Sequence, residues 1–120
     1  MSDNKAHLLL VDDDKRILSL LSAYLSKKNF LVSSARNSIE ARSLLNYFEF
    51  DLLIIDIMMP GENGLELLES IRKRTNVPAI FLSAKGESKD KINGLEIGAD
   101  DYLSKPFEPK ELLLRLERLL

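Results

Sequence analysis

Apolar residues follow two alternating rhythms along the chain. His7-Leu8-Leu9-Leu10-Val11, Leu52-Leu53-Ile54-Ile55 before Asp56, and Ala79-Ile80-Phe81-Leu82 before Ser83 are unbroken runs of strand length, as expected of strands buried on both faces. Between them the spacing becomes helical. Ile17, Leu21, Tyr24 and Leu25 stand at i, i+4, i+7 and i+8, which predicts an amphipathic helix over 15–28. Leu31-Val32 opens a short strand to about Ala35. Asn37 then offers an N-cap with Glu40 three residues on, and Ala41, Leu44, Leu45 and Phe48 make the stripe of a second helix. After a strand at 52–56, Pro60-Gly61-Glu62-Asn63-Gly64 has turn chemistry, and Leu65, Leu68 and Ile71 predict a helix that Asn76-Val77-Pro78 stops. A strand at 79–83, a helix over 88–97, a strand at 101–104 and a last helix opened by Pro109 complete the pattern.

That order is (βα)₅. Strands without polar alternation need cover on both faces, so the expected fold class is α/β, a doubly wound parallel five-stranded sheet with helices on each side. In such sheets ligands bind beyond the carboxyl ends of the strands, where the strand order reverses. Asp12, Asp13, Asp56, Ser83 and Lys105 all fall at predicted carboxyl ends. No internal repeat or linker interrupts residues 1–120, so a single domain is expected.

Composition removes several function classes. The chain has no cysteine, which excludes a disulfide scaffold, a thiolate nucleophile and cysteine-ligated metal. A net charge of −2 without a basic run argues against nucleic-acid binding by this segment. No stretch approaches the roughly 20 apolar residues of a membrane span, and the polar N-terminus lacks a signal-peptide pattern. A cytoplasmic domain is therefore the expectation. Carboxylates massed at one sheet edge repel one another unless a hard cation with oxygen ligands lies among them, and Mg²⁺ is the natural candidate. Acids, a hydroxyl and an ammonium at one edge describe a site for phosphoryl chemistry.

Four motifs in order, Val11-Asp12-Asp13-Asp14, Asp56-Ile57-Met58-Met59-Pro60, Ser83-Ala84 and Lys105-Pro106-Phe107, resemble the receiver domain of two-component response regulators. The run from Gly98-Ala99-Asp100-Asp101-Tyr102 to Glu111-Leu112 is similar to the OmpR/PhoB subfamily in particular. The resemblance implies a flavodoxin-like strand order, 2-1-3-4-5. It makes Asp56 the phosphoacceptor, served by the phosphohistidine of a partner sensor histidine kinase. It implies Mg²⁺ ligation by Asp13, Asp56 and the backbone carbonyl of Met58, with Asp12 holding a metal-bound water. Lys105 would supply positive charge, Ser83 would donate to a phosphoryl oxygen, and Ser83 with Tyr102 would form the switch. His7, the only histidine, opens the first strand away from the acid edge and is expected at the surface.

The same likeness implies phosphorylation-dependent homodimerisation through the fourth helix, fifth strand and fifth helix. The face comprises Lys91, Ile92, Leu95, Glu96, Asp100, Asp101, Glu111, Leu114, Arg115 and Arg118, with Lys91 pairing Glu111 and Asp101 pairing Arg115 across chains. Some residues depart from the pattern. Serine replaces the commoner threonine at 83, and Glu108 stands where Ser or Asp would cap better. Met58 cannot hold an attacking water through its side chain, and Lys85, two residues after Ser83, could fold across the site and shield the phosphoryl group, so slow self-dephosphorylation is expected. The last helix stops at Leu119-Leu120 without a capping signal, as expected of the N-terminal part of a longer transcriptional regulator. Two other classes compete. A Mg²⁺-dependent phosphohydrolase with an aspartyl nucleophile would place a second acid where Met58 stands, and a phosphorylation-independent binding module would have no use for the acid, hydroxyl and lysine set.

Overall fold

The computed structural model describes residues 4–84 and 88–120. Five strands, β1 (His7–Val11), β2 (Leu31–Ala35), β3 (Leu52–Asp56), β4 (Ala79–Ser83) and β5 (Asp101–Ser104), alternate with five helices, α1 (Lys15–Lys27), α2 (Ser38–Tyr47), α3 (Gly64–Arg72), α4 (Ser88–Ile97) and α5 (Pro109–Leu119). The strands form one parallel sheet in the order β2-β1-β3-β4-β5, with Val11 opposite Ile55 and Ile55 opposite Phe81. The fold is the flavodoxin-like α/β architecture read from the sequence.

Strand side chains alternate between two cores. Leu9, Val11, Leu53, Ile55 and Phe81 meet Ala41 of α2 and Leu67, Leu68 and Ile71 of α3. Leu8, Leu10, Leu52, Ile54 and Leu82 meet Leu18, Leu21 and Leu25 of α1 and Leu112, Leu113 and Leu116 of α5. Successive residues thus enter opposite cores, which is why the runs in β1, β3 and β4 carry no polar alternation. The sheet edge behaves differently. In β2 only Ala35 is fully buried, and Leu31 is exposed.

Four local expectations change. Phe48 does not continue the α2 stripe. It is the extended C-cap residue, and its ring lies 5.9 Å from His7 in an edge-on contact. His7 is accordingly half-buried rather than a plain surface residue, with Nε2 2.7 Å from Ser33 Oγ and its ring 4.4 Å from Phe50. Helix α3 ends at Arg72, ahead of Asn76, where the Lys73 and Arg74 amides turn back only three residues, to Ser70 O at 3.3 Å and Ile71 O at 2.9 Å, and tighten the last turn. Asn37 caps α2 as expected, but the Glu40 carboxylate takes the Arg36 amide instead of closing a capping box. The full box is Asn63 with Glu66, at the start of α3. Glu108 makes no side-chain cap bond to α5.

Candidate functional site

Asp12 and Asp56 come together because their strands do. Val11 and Ile55 are paired neighbours in β1 and β3, so the residues that follow them emerge side by side at the carboxyl edge. Both carboxylates are buried, Asp12 at 2% and Asp56 at 4% exposure, whereas Asp13 is exposed at the rim. One oxygen from each of Asp12, Asp13 and Asp56 lies within 4.8 Å of the others. Lys105 reaches the pair from the loop after β5, with Nζ 3.0 Å from Asp12 Oδ2 and 3.4 Å from Asp56 Oδ2. Its backbone amide donates to Ser83 O at 2.7 Å, and the peptide to Pro106 is cis.

The electrostatics are those of a charge held against its preference. Burial, and then the neighbouring Asp12 charge, push the Asp56 carboxyl up to about 6, with Lys105 and the Met58 amide pulling partly the other way. Burial alone would lower the Lys105 pKa, but its hydrogen bond to Asp12 and the charges of both carboxylates raise it, so the ammonium stays charged at neutral pH. Three carboxylates against one ammonium leave an excess of negative charge. The donors are hard oxygens close enough to share one ion, and they fit Mg²⁺.

Asp14, the third acid of the run, is not part of this cluster. Its Oδ1 accepts the Arg16 and Ile17 amides at 2.9 and 3.4 Å, capping α1. Asp12 Oδ1 accepts the Asp14 amide and Asp56 Oδ1 the Met58 amide, so each buried acid is oriented by main chain two residues on. Ile57 and Met59 turn into the core while Met58 between them projects outward, 61% exposed. Lys85 lies outside the described residues.

Ser83 is fully buried and its hydroxyl is hydrogen-bonded to the Tyr102 hydroxyl, with Ala84 O at 3.2 Å. The two switch candidates therefore touch each other. On the α4-β5-α5 side, Ile92, Leu95 and Leu114 are exposed, as are Lys91, Glu96, Glu111 and Arg118. The acid-base pair expected between chains is already made within one. Arg115 Nη1 lies 2.9 and 3.1 Å from the two Asp101 oxygens, and Nη2 lies 3.5 Å from Glu111. Asp100 is likewise engaged internally, accepting the Ala79 amide at 2.9 Å and Arg72 Nη2 at 3.4 Å. Sequence reasoning missed both roles, because neither partner is near in the chain. It also missed Ser38 and Arg42, which hold the loop after β3; no local signal points to them.

Comparison with known proteins agrees with this geometry. The response regulator receiver domain family matches residues 8–117. PetR of Rhodobacter capsulatus is 52% identical over 120 residues, covering 100% of this chain and 51% of that protein. The transcriptional regulatory protein ResD of Bacillus subtilis is 42% identical over 117 residues, covering 98% and 49%. The chain thus spans about half the length of the curated relatives it matches. Among solved structures, the receiver domain of the Francisella response regulator 1452 superimposes with a TM-score of 0.90 at 38% identity, covering 96% of each chain. Sequence likeness along almost the whole length and the same fold at that level of identity place the chain in the response regulator receiver family.

Proposed function

We propose that this domain accepts a phosphoryl group on Asp56 from the phosphohistidine of a sensor histidine kinase, with Mg²⁺ bound, and that the modification remakes the α4-β5-α5 face. The observation that carries the reading is the buried Asp56 carboxylate bridged to Asp12 by Lys105 Nζ. An Asp56 oxygen attacks phosphorus as the phosphorus–nitrogen bond breaks; with the second ring nitrogen of the phosphohistidine protonated, the electron pair returned to the ring leaves a neutral histidine on the kinase and an acyl phosphate on the domain. Asp13, Asp56 and the Met58 carbonyl would hold the cation, with Asp12 in support, and a cation there would supply positive charge against the phosphoryl oxygens. Lys105 adds its own from the same side. Ser83 has one hydroxyl proton, so donating it to the phosphoryl group withdraws it from the Ala84 carbonyl and requires the Tyr102 hydroxyl to be the donor in the contact between the two side chains. That competition links the chemistry to the switch.

The domain is a phosphoacceptor module rather than an enzyme with turnover of its own. A groove of about 480 Å³ beside Lys105, lined by Ile17, Leu20, Leu21, Ala84, Phe107 and Pro109, offers an apolar seat for the donor protein next to the acceptor. No helix among the described residues is long and apolar enough to cross a membrane. The relatives' roughly twofold greater length and ResD's name support a receiver that is one part of a longer transcription regulator.

Acetyl phosphate with Mg²⁺ is expected to add one phosphoryl mass to the chain and none to Asp56→Asn. Equal labelling of the two by intact-mass analysis would refute the acceptor assignment. Asp13→Asn should weaken Mg²⁺ more than Asp12→Asn, since direct ligands outrank water-mediated ones. Equal losses in a metal titration would contradict the proposed ligand set.

Dimerisation under a beryllofluoride mimic is expected to be weak and salt-sensitive, because exposed ion pairs contribute only about 0.2 to 1 kcal/mol each. The Arg115–Asp101 pair exists within the chain, so a charge swap there would repair the internal contact as readily as a cross-chain one. Leu114→Glu is the cleaner probe: it should leave a monomer in sedimentation at saturating mimic. An undiminished dimer would move the interface elsewhere.

A further inference from the structure

The loop between β3 and α3 is closed on itself at its base and gripped from outside at its tip. At the base, the Gly64 amide donates to Ile57 O at 2.9 Å, and the Met58 amide donates to Asp56 Oδ1 at 3.2 Å. The outer grip comes from two residues of α2 spaced four apart, hence on one helix face. Ser38 Oγ donates to the Glu62 carbonyl at 2.9 Å, and Arg42 meets both oxygens of the Glu62 carboxylate, Nε at 3.1 Å. Ser38 is 3% exposed. Its hydroxyl is not needed to start the helix, because Asn37 already caps α2 by accepting the Glu40 amide. The guanidinium–carboxylate contact is two-pronged, which fixes direction as well as distance. Both grips therefore act on the loop and contribute nothing to the capping of α2.

We propose that Ser38 and Arg42 are positioning residues for divalent-cation binding. By holding Glu62 they set the path of residues 58–63 and with it the main-chain oxygen of Met58. The inference rests on the metal reading above and adds residues outside the acid cluster to it. Electrostatics gives it a sign that a charge effect cannot imitate. Removing the Arg42 cation lowers the positive potential near the acids, so by Coulomb's law alone Mg²⁺ would bind more tightly. Loss of positioning predicts the opposite.

The test is a Mg²⁺ titration of the whole chain, followed by the amide chemical shifts of Asp13 and Met59, on the parent, Ser38→Ala, Arg42→Ala, the double variant and Arg74→Ala. Arg74→Ala removes an equal charge from a residue that makes no contact with the loop tip. The double variant should bind Mg²⁺ roughly tenfold more weakly, the lower end for residues that support a metal site from outside it. Each single variant should fall between, Arg42→Lys should recover part of the loss, and Arg74→Ala, which shows the charge effect alone, should bind as tightly as the parent or slightly tighter. Acetyl phosphate labelling of Asp56 at saturating Mg²⁺ should return to the parent rate in every variant, which a damaged fold would not do. Arg42→Ala binding as tightly as the parent or tighter overturns the proposal. A parent that binds Mg²⁺ only at remote sites overturns the metal reading and this inference together.

Discussion

Gly64→Ala should cost the domain about 3 kcal/mol or more, at or beyond the upper end of what an inserted methyl does in a packed interior. A Cβ at this position would stand 2.3 Å from the Asp56 carbonyl oxygen, 2.9 Å from its carbon and 2.9 Å from Ile55 Cγ2. None of these is a flexible side-chain tip. Two are the backbone of Asp56 itself, so relief requires moving either β3 or the first turn of α3. Moving the helix pulls on the Gly64 amide bonded to Ile57 O and on the Asn63–Glu66 capping box. Urea unfolding should show the loss, and Asp56 labelling should slow in parallel because the loop after β3 is displaced. A loss below about 1 kcal/mol would mean that α3 slides freely along the strand end, contrary to the close approach seen here.

Asp56→Asn should do the reverse and stabilise the metal-free protein at pH 7.5. Folding raises the Asp56 carboxyl from 3.8 to about 6, because burial and the Asp12 charge disfavour the ionised form. For a group raised in the folded state, the stability it contributes is complete below the unfolded value and is lost as pH rises through the folded one. Above pH 6 the parent therefore carries the full penalty of a buried charge, worth up to about 3 kcal/mol. Asparagine keeps an oxygen to accept the Met58 amide and carries no charge. Its advantage should appear between pH 4 and 6 and plateau above, as measured by urea unfolding in a chelating buffer. Adding Mg²⁺ should narrow the gap by stabilising the parent more. If Asp56→Asn is less stable than the parent at pH 7.5, the contact with Lys105 outweighs burial and repulsion, and the site is held by its ion pair.

What the sequence determines by itself is whatever depends on neighbours within a helical turn or a strand. Unbroken apolar runs mark β1, β3 and β4 because each is covered on two faces, and a residue that follows such a run stands at the carboxyl edge wherever the strand lies. Asp12, Asp56 and Ser83 are legible for that reason, Lys105 by its place after the short β5, and the motif order around them identifies the family. Helix α2 begins at an N-cap readable from Asn37, because a cap is bonded within three residues. The packing of distant elements decides the rest. Spacing alone does not say how deep each of three successive aspartates lies; the turn into α1 sends Asp14 to the helix N-terminus, leaves Asp12 buried and puts Asp13 at the rim. Phe48 has the right spacing for the α2 stripe, but His7 and Phe50 offer its ring a better contact outside the helix. Arg115 has cross-chain and in-chain acids to choose from, and only the proximity of β5 to α5 settles that Asp101 is reached within the chain. Ser38 and Arg42 meet Glu62 across 24 and 20 residues of sequence. Periodicity carries no record of such contacts, because it reports which face a side chain occupies, whereas its partner depends on which other element the sheet order brings to that face.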